Sequence, residues 1–151
     1  MAEHIPESHE RRVQSNELIQ HMLKERNQLL SLMLQVSEEG SDATSLNAVI
    51  DLDEFVQVLV DYIAAAHFGL YERIADGKER RKAVSDLAIK IFPRIEQTTE
   101  IALAFDEKYN PENKERELHR FQEDLSMLGE ELATRIELED QLIGLILQSK
   151  S

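Results

Sequence analysis

Four polar side chains sit on or beside positions where a buried apolar face should run unbroken. Glu139 interrupts the series Phe121, Leu125, Leu128, Leu132, Ile136, Ile143 and Ile146, which repeats at helical spacing. Arg26 interrupts a second series, Ser15, Ile19, Met22, Leu29, Met33 and Val36. His67 flanks a third, with Tyr71 one turn later on the same side. A carboxylate buried without a partner costs several kcal/mol. Glu139 is therefore expected to pair with Arg26, His67 or the Tyr71 hydroxyl. Such a cluster serves as an internal network that fixes helix register, as a pocket holding a small ligand or signal, or as a partly exposed patch at a bundle end.

A different chemistry is written outside that face. In Phe55–Ile74, the residues Phe55, Leu59, Tyr62, Ile63, Ala66, Leu70 and Ile74 form one apolar stripe. Asp61, Ala65, Phe68 and Glu72 form a second stripe on roughly the opposite side. A helix that buries the first stripe shows the second to solvent or to a partner. A phenylalanine among carboxylates and alanines (Ala64, Ala65) makes a poor solvated face and a good docking face.

Catalysis and metal binding have little to stand on. The chain has no cysteine and no glycine-rich phosphate loop, Gly-x-Ser-x-Gly or His-Glu-x-x-His motif. Glu130–Glu131 and Glu139–Asp140 are adjacent pairs, and neighbouring helix residues point about 100° apart. His67, Glu72, Glu139 and Asp140 lack the Glu-x-x-His repeat of di-iron bundles, and His4, His9, His21 and His119 fall away from the seams. No enzyme activity, cofactor or metal is expected.

The elements that carry these residues read as long helices. The first is expected over about Glu10–Val36, after a flexible stretch of residues 1–9. A polar loop around Gly40 follows. Asp51 and Glu54 make a capping-box-like start for the second helix, which ends near Asp76–Gly77. The third, about Glu79–Tyr109, is expected to kink or split near Pro93. Asn110-Pro111 resembles a helix start, so the last helix is expected over about Glu112–Gln148. The fold class is all-α: a single domain over 1–151, built as an antiparallel four-helix-bundle-like arrangement.

Composition agrees. The chain has 151 residues, 42% hydrophobic and 31% charged, with only 5 Gly and 3 Pro. The absence of cysteine is compatible with the cytoplasm. No apolar run approaches a membrane span, and MAEHIPESHERR lacks a signal-peptide core, so neither membrane nor export is expected. A net charge of −13 argues against direct nucleic-acid binding and points to basic partners. Residues 37–54 hold six acids and no base, with Asp51, Asp53 and Glu54 nearest the docking stripe. Lys78, Arg80, Arg81, Lys82 and Lys90 invert the sign, and read as a solvated helix start.

Several segments resemble the regulator of sigma D (Rsd)/AlgQ family of bacterial anti-sigma factors. They are Leu59-Val60-Asp61-Tyr62, Ala66-His67-Phe68 and Tyr71-Glu72; Ser15-Asn16, Leu18-Ile19, Leu23, Arg26 and Leu29-Leu30; Pro93-Arg94-Ile95-Glu96 with Ile101-Ala102-Leu103-Ala104-Phe105; and Leu128-Gly129, Arg135, Leu138-Glu139-Asp140 and Leu142-Ile143. The likeness covers about residues 10–147. It implies a helical bundle that binds the C-terminal, −35-reading domain of the primary sigma factor and limits its use by RNA polymerase when growth slows. It implies that Asp61 and Phe68 face sigma. One departure stands out: Gln20-His21-Met22 replaces a frequent Asp-Arg-Trp, and the chain has no Trp.

The leading expectation is thus a non-catalytic anti-sigma protein, monomeric or weakly dimeric. Its docking surface would be Asp61, Ala65, Phe68 and Glu72, extended by Asp51, Asp53 and Glu54. The alternative is a bundle that binds a ligand in the interior cluster of Arg26, His67, Tyr71 and Glu139.

Overall fold

The computed structural model describes residues 7–39, 46–75 and 81–148, and every regular element among them is helical. α1 spans Glu7–Glu39 and α2 spans Leu46–Ala66. A π-helical turn, His67–Tyr71, joins α2 to the short α3, Glu72–Ala75. α4 spans Lys82–Tyr109 and α5 spans Phe121–Gln148. The beginning and end expected for α1 hold to within three residues. Residues 1–6 of the stretch expected to be flexible lie outside the described residues. So do Gly40, the Gly77 cap, and Lys78 and Arg80 of the basic run.

Contacts along the helices show an antiparallel four-helix bundle. Gln35 of α1 bonds Asp51 of α2, while Leu18 lies against Gly69, so numbers fall on one helix as they rise on the other. Phe55 meets Phe105 and Tyr71 meets Phe92, which sets α2 antiparallel to α4. Lys108 meets Asp124 and Arg81 reaches the Ile146 carbonyl, which does the same for α4 and α5. Arg26 pairs with Asp140 across from Met33 beside Gly129, closing the ring between α1 and α5.

One apolar cluster runs through all four long helices. The seams read from periodicity supply much of it: Ile19, Met22, Leu29 and Val36; Phe55, Leu59, Tyr62, Ala66 and Leu70; Phe121, Leu125, Leu128 and Leu132. Each such Leu, Ile or Phe side chain contributes about 1.5–3 kcal/mol on burial. Phe55, Phe105, Tyr109 and Phe121 form an aromatic block at one end, with ring centroids 4.6–6.1 Å apart.

Three boundaries differ from the sequence expectation. α2 begins at Leu46, so Asp51 and Glu54 lie inside the helix rather than at its cap. The buried Ala48 and Leu52 draw the extra turns onto the core. α4 is unbroken through Pro93, so the split does not occur. Pro93 is exposed, and the Ile89 carbonyl that loses its partner belongs to an exposed residue, where water can replace the bond. α5 starts nine residues later than Asn110-Pro111 suggests. Asn110 and Asn113 use their side-chain oxygens to accept from Glu112 N–H and Glu115 N–H, and Asn113 Nδ2 caps the Lys108 carbonyl. These local bonds hold successive turns in place of helix.

Candidate functional site

Inside the bundle lies a buried ionic network. Glu139 of α5 is 0% exposed. Its Oε1 accepts from Arg26 Nη2 at 3.1 Å and from the Tyr62 hydroxyl. Its Oε2 accepts from the Tyr71 hydroxyl at 2.7 Å and from Arg135 Nε at 2.9 Å. Arg135 in turn donates to Thr98 and Thr99 of α4 at 3.2 and 2.6 Å and lies over the rings of Tyr62 and Tyr71. Arg26 also donates to Asp140 at 2.6 Å. The network thus ties all four long helices and the π turn to one carboxylate. A carboxylate offers about four lone-pair directions, and all are used by the chain itself.

The charges explain the titration behaviour. Burial opposes the Arg26 charge, but the Asp140 hydrogen bond and the charge on Glu139 outweigh it and keep the guanidinium protonated. Burial, reinforced by the charge of Glu139, pushes both Tyr62 and Tyr71 above the usual tyrosine value.

The π turn makes this convergence possible. Tyr62 and Tyr71 are nine residues apart, which on a regular α-helix places them about 180° from each other. A π turn closes i→i+5 and spends one extra residue, setting the rotation back by about 100°. Both hydroxyls then reach Glu139. Gly69 sits inside the turn, where an added Cβ would lie 3.1 Å from the Leu18 carbonyl oxygen; its lack of a side chain lets α1 pack close.

On the outer side of the same turn, Phe68 is 60% exposed. Among the described residues the exposed Asp61 accepts only from Gln57 of its own helix, at 3.0 Å. Between α1 and α2 lies an open dent of about 350 Å³, lined by Leu18, His21 and Glu25 together with Asp61, Ala64, Ala65 and Phe68.

The remaining residues expected at the site divide. Ala65 is buried and forms part of the dent rather than an exposed stripe. Glu72 follows the π turn, is half-buried, and is rotated off the line of Asp61 and Phe68. Glu54 is exposed and lies two helical turns, about 10 Å, before Asp61 on the same face. Asp51 accepts from Gln35 at 2.8 Å. Asp53 is paired with Arg116 at 2.7 Å, so its charge is largely met within the chain. His67 does not belong to the interior cluster: it is exposed, with its ring edge-on to Phe68 at 5.1 Å. Tyr62 and Arg135 take the place expected for it. The spacing Leu128, Leu132, Arg135, Glu139, Leu142, Ile146 already carried Arg135 on the buried seam.

A family model described as "Regulator of RNA polymerase sigma(70) subunit, Rsd/AlgQ" matches residues 1–147. The chain belongs to the Rsd/AlgQ family. The Regulator of sigma D of Yersinia pseudotuberculosis serotype O:1b (strain IP 31758) is 38% identical over 136 residues, 85% of this chain and 79% of that protein. That of Yersinia pestis is 39% identical over the same shares. That of Shigella dysenteriae serotype 1 (strain Sd197) is 34% identical over 138 residues, 89% of this chain and 87% of that protein. No solved structure matches the chain.

Membership in Rsd/AlgQ makes this chain a regulator of the sigma-70 subunit of RNA polymerase and a binding protein rather than an enzyme. No helix among the described residues is long and apolar enough to cross a membrane. Where the Rsd/AlgQ-like pattern departs at Gln20-His21-Met22, Met22 is fully buried, Gln20 is exposed and His21 lines the dent.

Proposed function

We propose that this protein is an anti-sigma factor that binds the C-terminal, −35-reading domain of the primary sigma factor and limits its use by RNA polymerase. The observation that carries the reading is Phe68, 60% exposed on the same dent as Asp61, whose carboxylate meets no cation among the described residues. A domain that grips DNA phosphates is basic. An acidic face with an aromatic anchor imitates the phosphate surface and adds an apolar contact that survives salt. Asp61 pairs with a cation of that domain, Phe68 fills an apolar depression in it, and Glu54 extends the charge along α2. The site lies on one chain, so a monomer suffices to bind.

The test is capture of purified primary sigma factor, full-length and lacking its C-terminal domain, by the immobilised protein. Only the full-length form should be retained, and less of it as salt rises. Equal retention of both forms would refute the assignment. The alternative, a ligand in the interior cluster, loses its main support because Glu139 is saturated by Arg26, Tyr62, Tyr71 and Arg135.

A further inference from the structure

The dent has two walls, and only one belongs to the stripe on α2. The antiparallel register sets Leu18 of α1 across from Phe68, His21 across from Ala64 and Ala65, and Glu25 across from Asp61. The dent is therefore polarised along its length. One end is apolar, with Leu18 and Phe68 both well exposed. The other end is acidic, with Glu25 and Asp61. Among the described residues neither carboxylate is held by a Lys or Arg: Asp61 accepts from Gln57, and Glu25 stands 3.8 Å from His21 Nε2, beyond hydrogen-bond reach. Ala64 and Ala65 between them are small enough to let a side chain lie down. At about 350 Å³ the dent is near the lower limit of small-molecule pockets and suits one long side chain.

We infer that α1 supplies half of the partner-binding surface, with Glu25 and Asp61 clamping one arginine or lysine of the sigma factor. The aliphatic stem of that residue lies over Ala65 toward Leu18 and Phe68, and its charged head lies between the two carboxylates. Apolar stem, cationic head and length all match the sequence of surfaces in the dent. The inference rests on the proposed docking to sigma and adds to it a second helix and a shared cation.

The experiment is titration of full-length purified primary sigma factor into the wild-type protein and into E25Q, D61N and E25Q/D61N, with thermal melts of each variant. E25Q and D61N should each weaken binding about tenfold, the value of a hydrogen bond to a charged group. The double variant should lose less than the product of the two, because both act on one cation. E25K, which places a like charge in the clamp, should lose more than E25Q. All four variants should melt close to the wild type. If D61N weakens binding and E25Q does not, the role of α1 is wrong while the docking reading stands. If neither variant matters, the docking face itself is wrong. A fully multiplicative double variant would show two separate cations and overturn the clamp. Self-association of this chain that E25Q or D61N abolishes would assign the dent to a second copy and overturn it as well.

Discussion

Replacing Glu139 by Gln should be among the most damaging isosteric changes in this chain. Glu139 is 0% exposed and accepts four hydrogen bonds, two from guanidinium groups and two from tyrosine hydroxyls. Glutamine keeps one carbonyl oxygen, and its amide nitrogen then faces donors. The shape is preserved, so the cost is electrostatic. Arg135 is 1% exposed and would lose its buried counter-charge, while Arg26 would keep Asp140 at the rim. Breaking one side of a buried pair in this way costs about 3–5 kcal/mol. For a domain of this length, each kcal/mol moves the midpoint by about 2–4 °C, so the Tm should fall by roughly 6–20 °C. Thermal and urea melts followed by helical circular dichroism measure it, and an unchanged urea slope would show that the denatured state is not responsible. A loss below about 1 kcal/mol would mean that the network is neutral to folding and that the reasoning about desolvated charge is wrong. The double change E139L/R135M should cost less than the sum of its singles, because it removes the stranded charge along with its partner.

Three further outcomes follow from the same geometry. Asp61→Ala and Phe68→Ala should each weaken capture of sigma at least tenfold while moving the Tm by no more than a degree or two, since both side chains are exposed; parallel loss of folding would make them structural. The chain has three tyrosines and no Trp, and burial raises all three above their usual value near 10. The stability they contribute is complete below pH 10 and is lost as pH rises toward the folded values, so absorbance at the tyrosinate band should rise together with unfolding rather than before it. A separate tyrosinate step near pH 10 in the folded protein would contradict the burial. Gly69→Ala should lower stability even though Ala is the better helix former by about 1 kcal/mol, because its Cβ meets the Leu18 carbonyl rather than a movable side chain. A gain in Tm would show that α1 can shift away.

What the sequence disclosed and what it hid divide along physical lines. Helix number, order and buried seams were legible because apolar side chains repeat at the helical period and the core selects for that period. Helix ends were not. Asp51 and Glu54 imitate a cap, yet Ala48 and Leu52 reward a longer helix by burial. Asn110-Pro111 also imitates a start, but the asparagines make rival bonds to the backbone. Glu139 and Arg26 were found because charge on an apolar seam demands a partner. Arg135 was overlooked because Ile136 fits the same seam almost as well, and Tyr62 because its ring satisfied the apolar pattern while its hydroxyl remained unassigned. His67 was grouped with Tyr71 because a wheel drawn at constant rotation sets both on one side; the π turn carries Tyr71 inward and leaves His67 outside.

That turn joins the interior to the surface. Phe68 and Tyr71 lie three residues apart within it, one exposed and one bonded to Glu139. A regular helix could bury Tyr71 beside Tyr62 or keep an unshifted register, but not both, since nine residues return it to the opposite side. The extra residue is stabilised by what it reaches: a charge-assisted hydrogen bond worth about 1.5–3 kcal/mol, and close contact with α1 through Gly69. Holding Tyr71 inward therefore fixes the backbone from which Phe68 projects. On this account the buried carboxylate is not a site for a ligand. It is the support that keeps an aromatic ring aimed at solvent, because the same five residues cannot satisfy Glu139 and also draw Phe68 into the core.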